Sequence, residues 1–95
     1  MPRMMEEGEI RMHLRAAKAA GRKSACGYKI QHSTLESAES HAHGLNQRPE
    51  VISGEKPRSE PYPCPWCSPS LYMDHYYYHV GRALTPEERE KYATD

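Results

Sequence analysis

The sequence predicts a small α+β domain in which helices flank a β-hairpin. Three observations predict it. Two segments carry apolar residues at helical spacing and end in recognisable start or stop signals. A β-like stretch from Tyr62 runs into the tight knuckle Cys64-Pro65-Trp66-Cys67, and the alternating run 75–80 returns from it. Between helices and hairpin lies a segment rich in Pro, Gly, Ser and charge, which reads as a connection.

Residues 6–21 read as the first helix, because Met, Leu, Ala, Arg and Lys dominate and all are good helix formers. Ile10, Leu14 and Ala17 fall on one stripe, Arg11, Arg15, Lys18 and Arg22 on the adjacent one, and Gly21 is the stop. Residues 26–31 are expected as a short strand, with Tyr28 and Ile30 on one face and Lys29 and Gln31 on the other. Ser33 with Glu36 makes a capping box for a second helix. Its apolar face is Leu35, Ala38, Ala42 and Leu45, and Gly44-Leu45-Asn46 ends it. Residues 47–63 are expected as a long loop whose only apolar pair, Val51-Ile52, suits a brief strand. In the hairpin's second strand His75, Tyr77 and His79 point to one face, and Tyr76, Tyr78 and Val80 to the other. Thr85-Pro86-Glu87-Glu88 is a second capping signal, so 86–92 is a short helix. The expected organisation is an N-terminal basic amphipathic helix over 1–23, an αβ domain over 24–84 with a long loop at 47–61, and a short C-terminal helix or tail over 85–95.

With 95 residues, 37% of them apolar, no Phe and a mean hydropathy of −0.95, the chain is one domain with a thin core. Domains of this size often need a metal, a disulfide or a partner. Its three cysteines cannot all pair. An odd count with one CxxC points to a metal site in a reducing cytoplasm rather than to a secreted disulfide framework. A redox CxxC would open a helix within a βαβ pattern; this one is surrounded by Pro63, Pro65 and Pro69, and no such pattern is visible. No apolar run approaches the ~18 residues of a membrane span, and the N-terminus lacks the apolar stretch of a secretory signal, so a cytoplasmic location is expected. The formal net charge is zero, which argues against whole-molecule attraction to nucleic acid. A local basic face remains, since six Lys or Arg and no acid occur between Ile10 and Leu35.

Cysteine sulfur and histidine nitrogen are zinc's preferred donors, and structural sites fill all four positions of the tetrahedron with protein. Cys64 and Cys67 supply the knuckle and His79 reaches back from the second strand. For the fourth ligand Cys26 is the first choice, and His75, on the same face as His79, is the alternative. His32, His41 and His43 are more distant candidates; His41 and His43, two apart on a helix, cannot share a face. His13 is expected to be solvated. A site using Cys26 would tie the upstream half of the chain to the hairpin across the long loop, the kind of closure that stabilises most.

Cys26-Gly-Tyr-Lys, the segment 33–46, Tyr62-Pro-Cys-Pro-Trp-Cys67 and His79-Val-Gly-Arg82 together resemble the small zinc-ribbon or zinc-finger-like proteins of actinobacterial phages. The resemblance covers about residues 23–82. It implies a zinc-ribbon-like hairpin domain with flanking helices, zinc on Cys26, Cys64, Cys67 and His79, and a host cytoplasm as the setting. Two departures are the eleven residues between Cys67 and His79, where the similar proteins have only a few, and the long loop before the knuckle.

The sharpest enzymatic alternative is an HNH-like nuclease with Asp74-His75 as the catalytic pair and His75 as general base. That chemistry needs a downstream Asn and a final His or Asn, and neither follows His79. No catalytic triad, phosphate loop or small-molecule site is visible. Binding is therefore the expected role. Arg11, Arg15, Lys18, Arg22 and Lys23 form a basic stripe for nucleic-acid phosphates, with Tyr72, Tyr76, Tyr77 and Tyr78 available to stack on bases. A host protein is the competing partner, for which Met4, Met5 and Met12 offer an adaptable surface. The ordinary alternatives are a solvated helix face and tyrosines packed over a thin core.

Overall fold

The computed structural model describes residues 5–27, 29–67 and 76–93. Among them the chain forms α1 (Glu7–Ala20), α2 (Arg22–Ala25), α3 (Leu35–Asn46), α4 (Pro49–Ile52), β1 (Ser59–Pro63), β2 (Tyr78–Arg82) and α5 (Pro86–Ala93). The strands pair antiparallel, with Tyr62 opposite His79 and Pro61 opposite Val80. Leu35, Ala38 and Ala42 of α3 pack on Tyr78 and Val80 of β2, with Met5, Leu45 and Tyr76 at the edge. This is the expected α+β architecture of a hairpin with flanking helices.

The first helix has the expected bounds to within a residue, with Glu7 and Glu9 in the first turn and Lys18 in the last, complementing the helix dipole. Its buried face differs: Met12, His13 and Ala17 are inside, while Ile10 and Leu14 are half-buried. The helix docks on β1 and α5, and that choice of neighbours sets its rotation. His13 is consequently not solvated. It is 4% exposed, with Nε2 3.5 Å from Glu60 Oε1, and Arg89 Nη2 holds the same carboxylate at 2.7 and 2.8 Å. Burial pushes its pKa down to about 4, with Glu9 opposing and Arg89 reinforcing, so the ring is neutral at pH 7. Met12 is buried, Met5 lies half-buried against the core, and Met4 lies outside the described residues.

The strand expected at 26–31 does not form. Gly21, at φ 93°, breaks α1 and starts the single turn of α2. The N–H groups of Cys26 and Gly27 both donate to the Arg22 carbonyl, so they are spent on ending that turn. Among the described residues of this segment only His32 pairs with the sheet, exchanging both backbone hydrogen bonds with Tyr78 at 2.8 Å. Ile30 is 61% exposed, and Tyr28 lies outside the described residues.

The second helix carries the expected apolar face but caps one residue later: Thr34 Oγ1 accepts from the Ser37 N–H at 3.1 Å, in place of Ser33 with Glu36. The expected loop at 47–61 is in part regular. Pro49 occupies the first turn of α4, which takes Val51-Ile52 out of any strand, and β1 begins at Ser59. Asn46 is buried and completes the hairpin's edge. Its Nδ2 donates to the Ser59 carbonyl at 2.9 Å, and the Ser59 N–H donates to its Oδ1 at 2.7 Å. At the last helix Thr85 and Glu88 form a reciprocal capping box, with N–H to Oε1 at 3.0 Å and N–H to Oγ1 at 3.2 Å. Arg82 of β2 adds an ion pair to Glu88 at 2.9 Å.

Candidate metal centre

Four segments converge beneath the hairpin. Cys64 follows β1, and its N–H donates to the Tyr77 carbonyl at 2.8 Å, which prolongs the ladder by one pair. Pro65, Trp66 and Cys67 turn immediately, so the two knuckle sulfurs face inward. His79 sits on β2 opposite Tyr62, on the face away from Tyr78 and Val80. Cys26 arrives at the end of α2. Gly27, at φ 38°, makes that turn; a Cβ there would collide with the Lys23 carbonyl oxygen.

The ligand atoms of Cys26, Cys64, Cys67 and His79 all lie within 4.8 Å of one another. Cys26 Sγ is 3.3 Å from Cys67 Sγ, and Cys67 Sγ is 3.5 Å from His79 Nε2. A disulfide would need about 2.05 Å, and the three cysteines are thiols. A tetrahedral ion about 2.3 Å from sulfur and about 2.0 Å from nitrogen holds its ligand atoms roughly 3.6–3.8 Å apart. The cluster is near that size, so these four residues can hold a metal ion.

The histidine is oriented for the task. Its Nδ1 lies 2.7 Å from the Ile30 carbonyl oxygen, which only accepts, so Nδ1 carries the proton and donates. The lone pair is therefore on Nε2, which faces the sulfurs. Metal-bound histidines characteristically gain this second contact, which fixes tautomer and ring plane. Tyr62 braces the other side: its ring centroid is 6.1 Å from that of His79, and its hydroxyl donates to the Ala25 carbonyl, next to Cys26. Burial and the neighbouring sulfurs raise the Tyr62 pKa, so that proton stays.

Burial sets the proton affinity of one of the sulfurs. Burial first, then hydrogen bonds and charge from Cys26 and Cys64, push the Cys67 thiol up to about 12. Without a positive ion the Cys67 thiol stays protonated. A bound dication inverts this and takes thiolates outright. Cys64 is 0% and His79 1% exposed, while Cys26 and Cys67 are half-buried.

The structure thus brings together the first-choice set of four. His75 and Asp74 lie outside the described residues, as does Tyr72. His32 and His41 face each other instead, Nε2 to Nδ1 at 3.0 Å, and His32 Nδ1 reaches Ser37 Oγ at 2.8 Å. His43 is exposed. Of the basic stripe, Arg11 pairs with Glu7, and Arg15 Nη1 donates to the Tyr92 carbonyl at 2.7 Å, fastening α5 to α1. Lys18, Arg22 and Lys23 are exposed. Tyr78 is buried in the core and Tyr76 packs half-buried against it. Sequence reasoning missed the Ile30 carbonyl and the Tyr62 brace. A backbone acceptor leaves no residue signature, and Tyr62 was legible only as a residue two before the knuckle. No helix among the described residues is long and apolar enough to cross a membrane. Comparison with protein-family models, curated proteins and solved structures gave no match.

Proposed function

We propose that this chain is a zinc-binding module whose metal is structural, and that it works by binding a macromolecular partner rather than by catalysis. One observation carries the reading: three sulfurs and a correctly tautomerised imidazole converge within 4.8 Å. Soft donors in a tetrahedron favour zinc, and four protein ligands leave no position for water or substrate. The exposed end of α1 with α2, bearing Lys18, Arg22 and Lys23, is the proposed contact face for nucleic acid or a host protein. The resemblance to small phage zinc-ribbon proteins is in keeping with such a role in a host cytoplasm.

The test is the zinc content of protein purified without added metal. One zinc per chain is expected in the wild type and in His75→Ala, and none in Cys64→Ser or His79→Ala. A metal-free, fully folded wild type would overturn the reading. Binding of short single-stranded oligonucleotides across a salt series then separates the partners. Affinity that falls steeply with salt and with Lys18, Arg22 and Lys23 changed to Gln marks nucleic acid. The absence of such binding leaves the protein partner.

A further inference from the structure

A second site lies apart from the metal centre. Between α1, the hairpin and α5 a cleft of about 380 Å³ opens to solvent, within the range of about 300–1,000 Å³ usual for small-molecule pockets. One wall is made of methyl groups: Ala16, Ala17 and Ala20 of α1 with Ala25 after them. Helices that pack on a sheet ordinarily fill such space with Leu or Ile, and the run of alanines leaves it open. Tyr62 and Gly81 form the facing wall. Gly81 lets Tyr62 and Lys29 approach closely, since a Cβ there would stand 3.1 Å from Tyr62 Cε1 and 3.4 Å from Lys29 Nζ.

Two acids and two bases line the cleft, and both acids are held by arginines, one of them from outside the lining. Glu60 is taken by Arg89 at 2.7 Å and Glu88 by Arg82 at 2.9 Å. Lys29 Nζ makes only a long contact, 3.4 Å, to the Val80 carbonyl, and it has no carboxylate partner among the described residues. The Tyr62 hydroxyl is already committed to the Ala25 carbonyl. The lining therefore presents one unneutralised ammonium beside an apolar wall and an aromatic ring.

We propose that this cleft binds a small organic monoanion, a carboxylate on a flat apolar body. The body lies between the alanine wall and Tyr62, and the carboxylate pairs with Lys29. None of the metal ligands lines the cleft, so this proposal stands or falls separately from the identity of the metal.

The experiment is an NMR titration of the full, metal-loaded chain with naphthalene-2-carboxylate, and in parallel with the uncharged naphthalene-2-methanol. Shifts of the Ala16, Ala17 and Ala20 methyls report the cleft. Millimolar or tighter binding is expected, with the carboxylate at least tenfold tighter than the alcohol. Lys29→Met should erase that tenfold preference, and Ala20→Leu should weaken both ligands at least tenfold. Unchanged amide spectra establish that both variants are folded. Equal affinity of wild type for the two ligands, or alanine methyls that do not move at millimolar carboxylate, would overturn the proposal.

Discussion

Replacing Cys26 by Ser should cost the folded protein about 4 kcal/mol when zinc is present. The figure follows from where Cys26 lies in the chain. It is 41 residues from Cys67, against 12 from Cys67 to His79. Closing a loop of that length by a cross-link removes from the unfolded chain an entropy worth about 4 kcal/mol at 25 °C. For a domain whose whole stability is expected at about 5–15 kcal/mol, that loss is severe. Cys64, Cys67 and His79 would remain as a local three-ligand site, so the variant isolates the long-range closure. The assay is urea denaturation of wild type and Cys26→Ser at one fixed free zinc concentration, repeated with a chelator. With zinc the two curves should separate by the stated amount; with chelator the gap should shrink below about 1 kcal/mol, because a Ser-for-Cys change then breaks no cross-link. Through linkage, the same loss corresponds to roughly a thousandfold weaker zinc affinity. A gap below about 2 kcal/mol with zinc, or an equal gap with and without it, would refute the idea that Cys26 closes the site.

Asn46→Ala should destabilise by about 2–3 kcal/mol in the same denaturation assay, since two hydrogen bonds vanish and the Ser59 N–H and carbonyl lose their partner in a half-buried position. Gly27→Ala should weaken zinc retention against a chelator, because a φ of 38° and the Lys23 carbonyl both oppose a side chain where Cys26 is aimed; unchanged retention would mean that the turn does not set the ligand. His13 gives stability a pH dependence. Its folded pKa, about 4, lies below the unfolded value of about 6.5, so the folded state binds fewer protons between them. The contribution is fully present above pH 6.5 and is lost as pH falls from there toward 4, by about 2 kcal/mol between pH 7 and 5. Measured against His13→Gln, which shares the same metal-site protons, this slope should disappear in the variant.

The periodic elements were legible in the sequence because each rests on a local signal. Leu35, Ala38 and Ala42 recur at helical spacing, and Tyr78 and Val80 alternate with Tyr77 and His79. The clustering of Cys64 and Cys67 was legible as well, since a CxxC restricts the geometry so strongly, and the structure brings Cys26 and His79 to the same place. What was hidden depends on tertiary choices. Nothing near His13 announces that Glu60 and Arg89, far along the chain, will meet it. The strand expected at 26–31 fails because the backbone donors of Cys26 and Gly27 go to Arg22, and alternation of side chains does not reveal where N–H groups are spent. Val51-Ile52 has strand-like residues, yet Pro49 fixes the geometry of a helical turn just before them.

Core and metal centre occupy opposite faces of one short strand, and this has a consequence for how the fold is specified. In β2, Tyr78 and Val80 enter the apolar cluster while His79 between them enters the sulfur cluster. A slip of one residue in the pairing with β1 would turn the histidine into the core and a tyrosine or valine toward the sulfurs. Both errors are costly: a polar ring buried without its Ile30 partner, and a metal site short of a ligand. A two-stranded sheet with no Phe behind it has little apolar area with which to choose its register alone. The imidazole–sulfur convergence adds a second, chemically distinct criterion at the same position. Tyr62, paired with His79 and bonded to the Ala25 carbonyl, links that register to the arrival of Cys26 from the other half of the chain. Metal binding and hairpin register would therefore be one cooperative event, and stripping the metal should loosen the β1–β2 pairing before it melts α3.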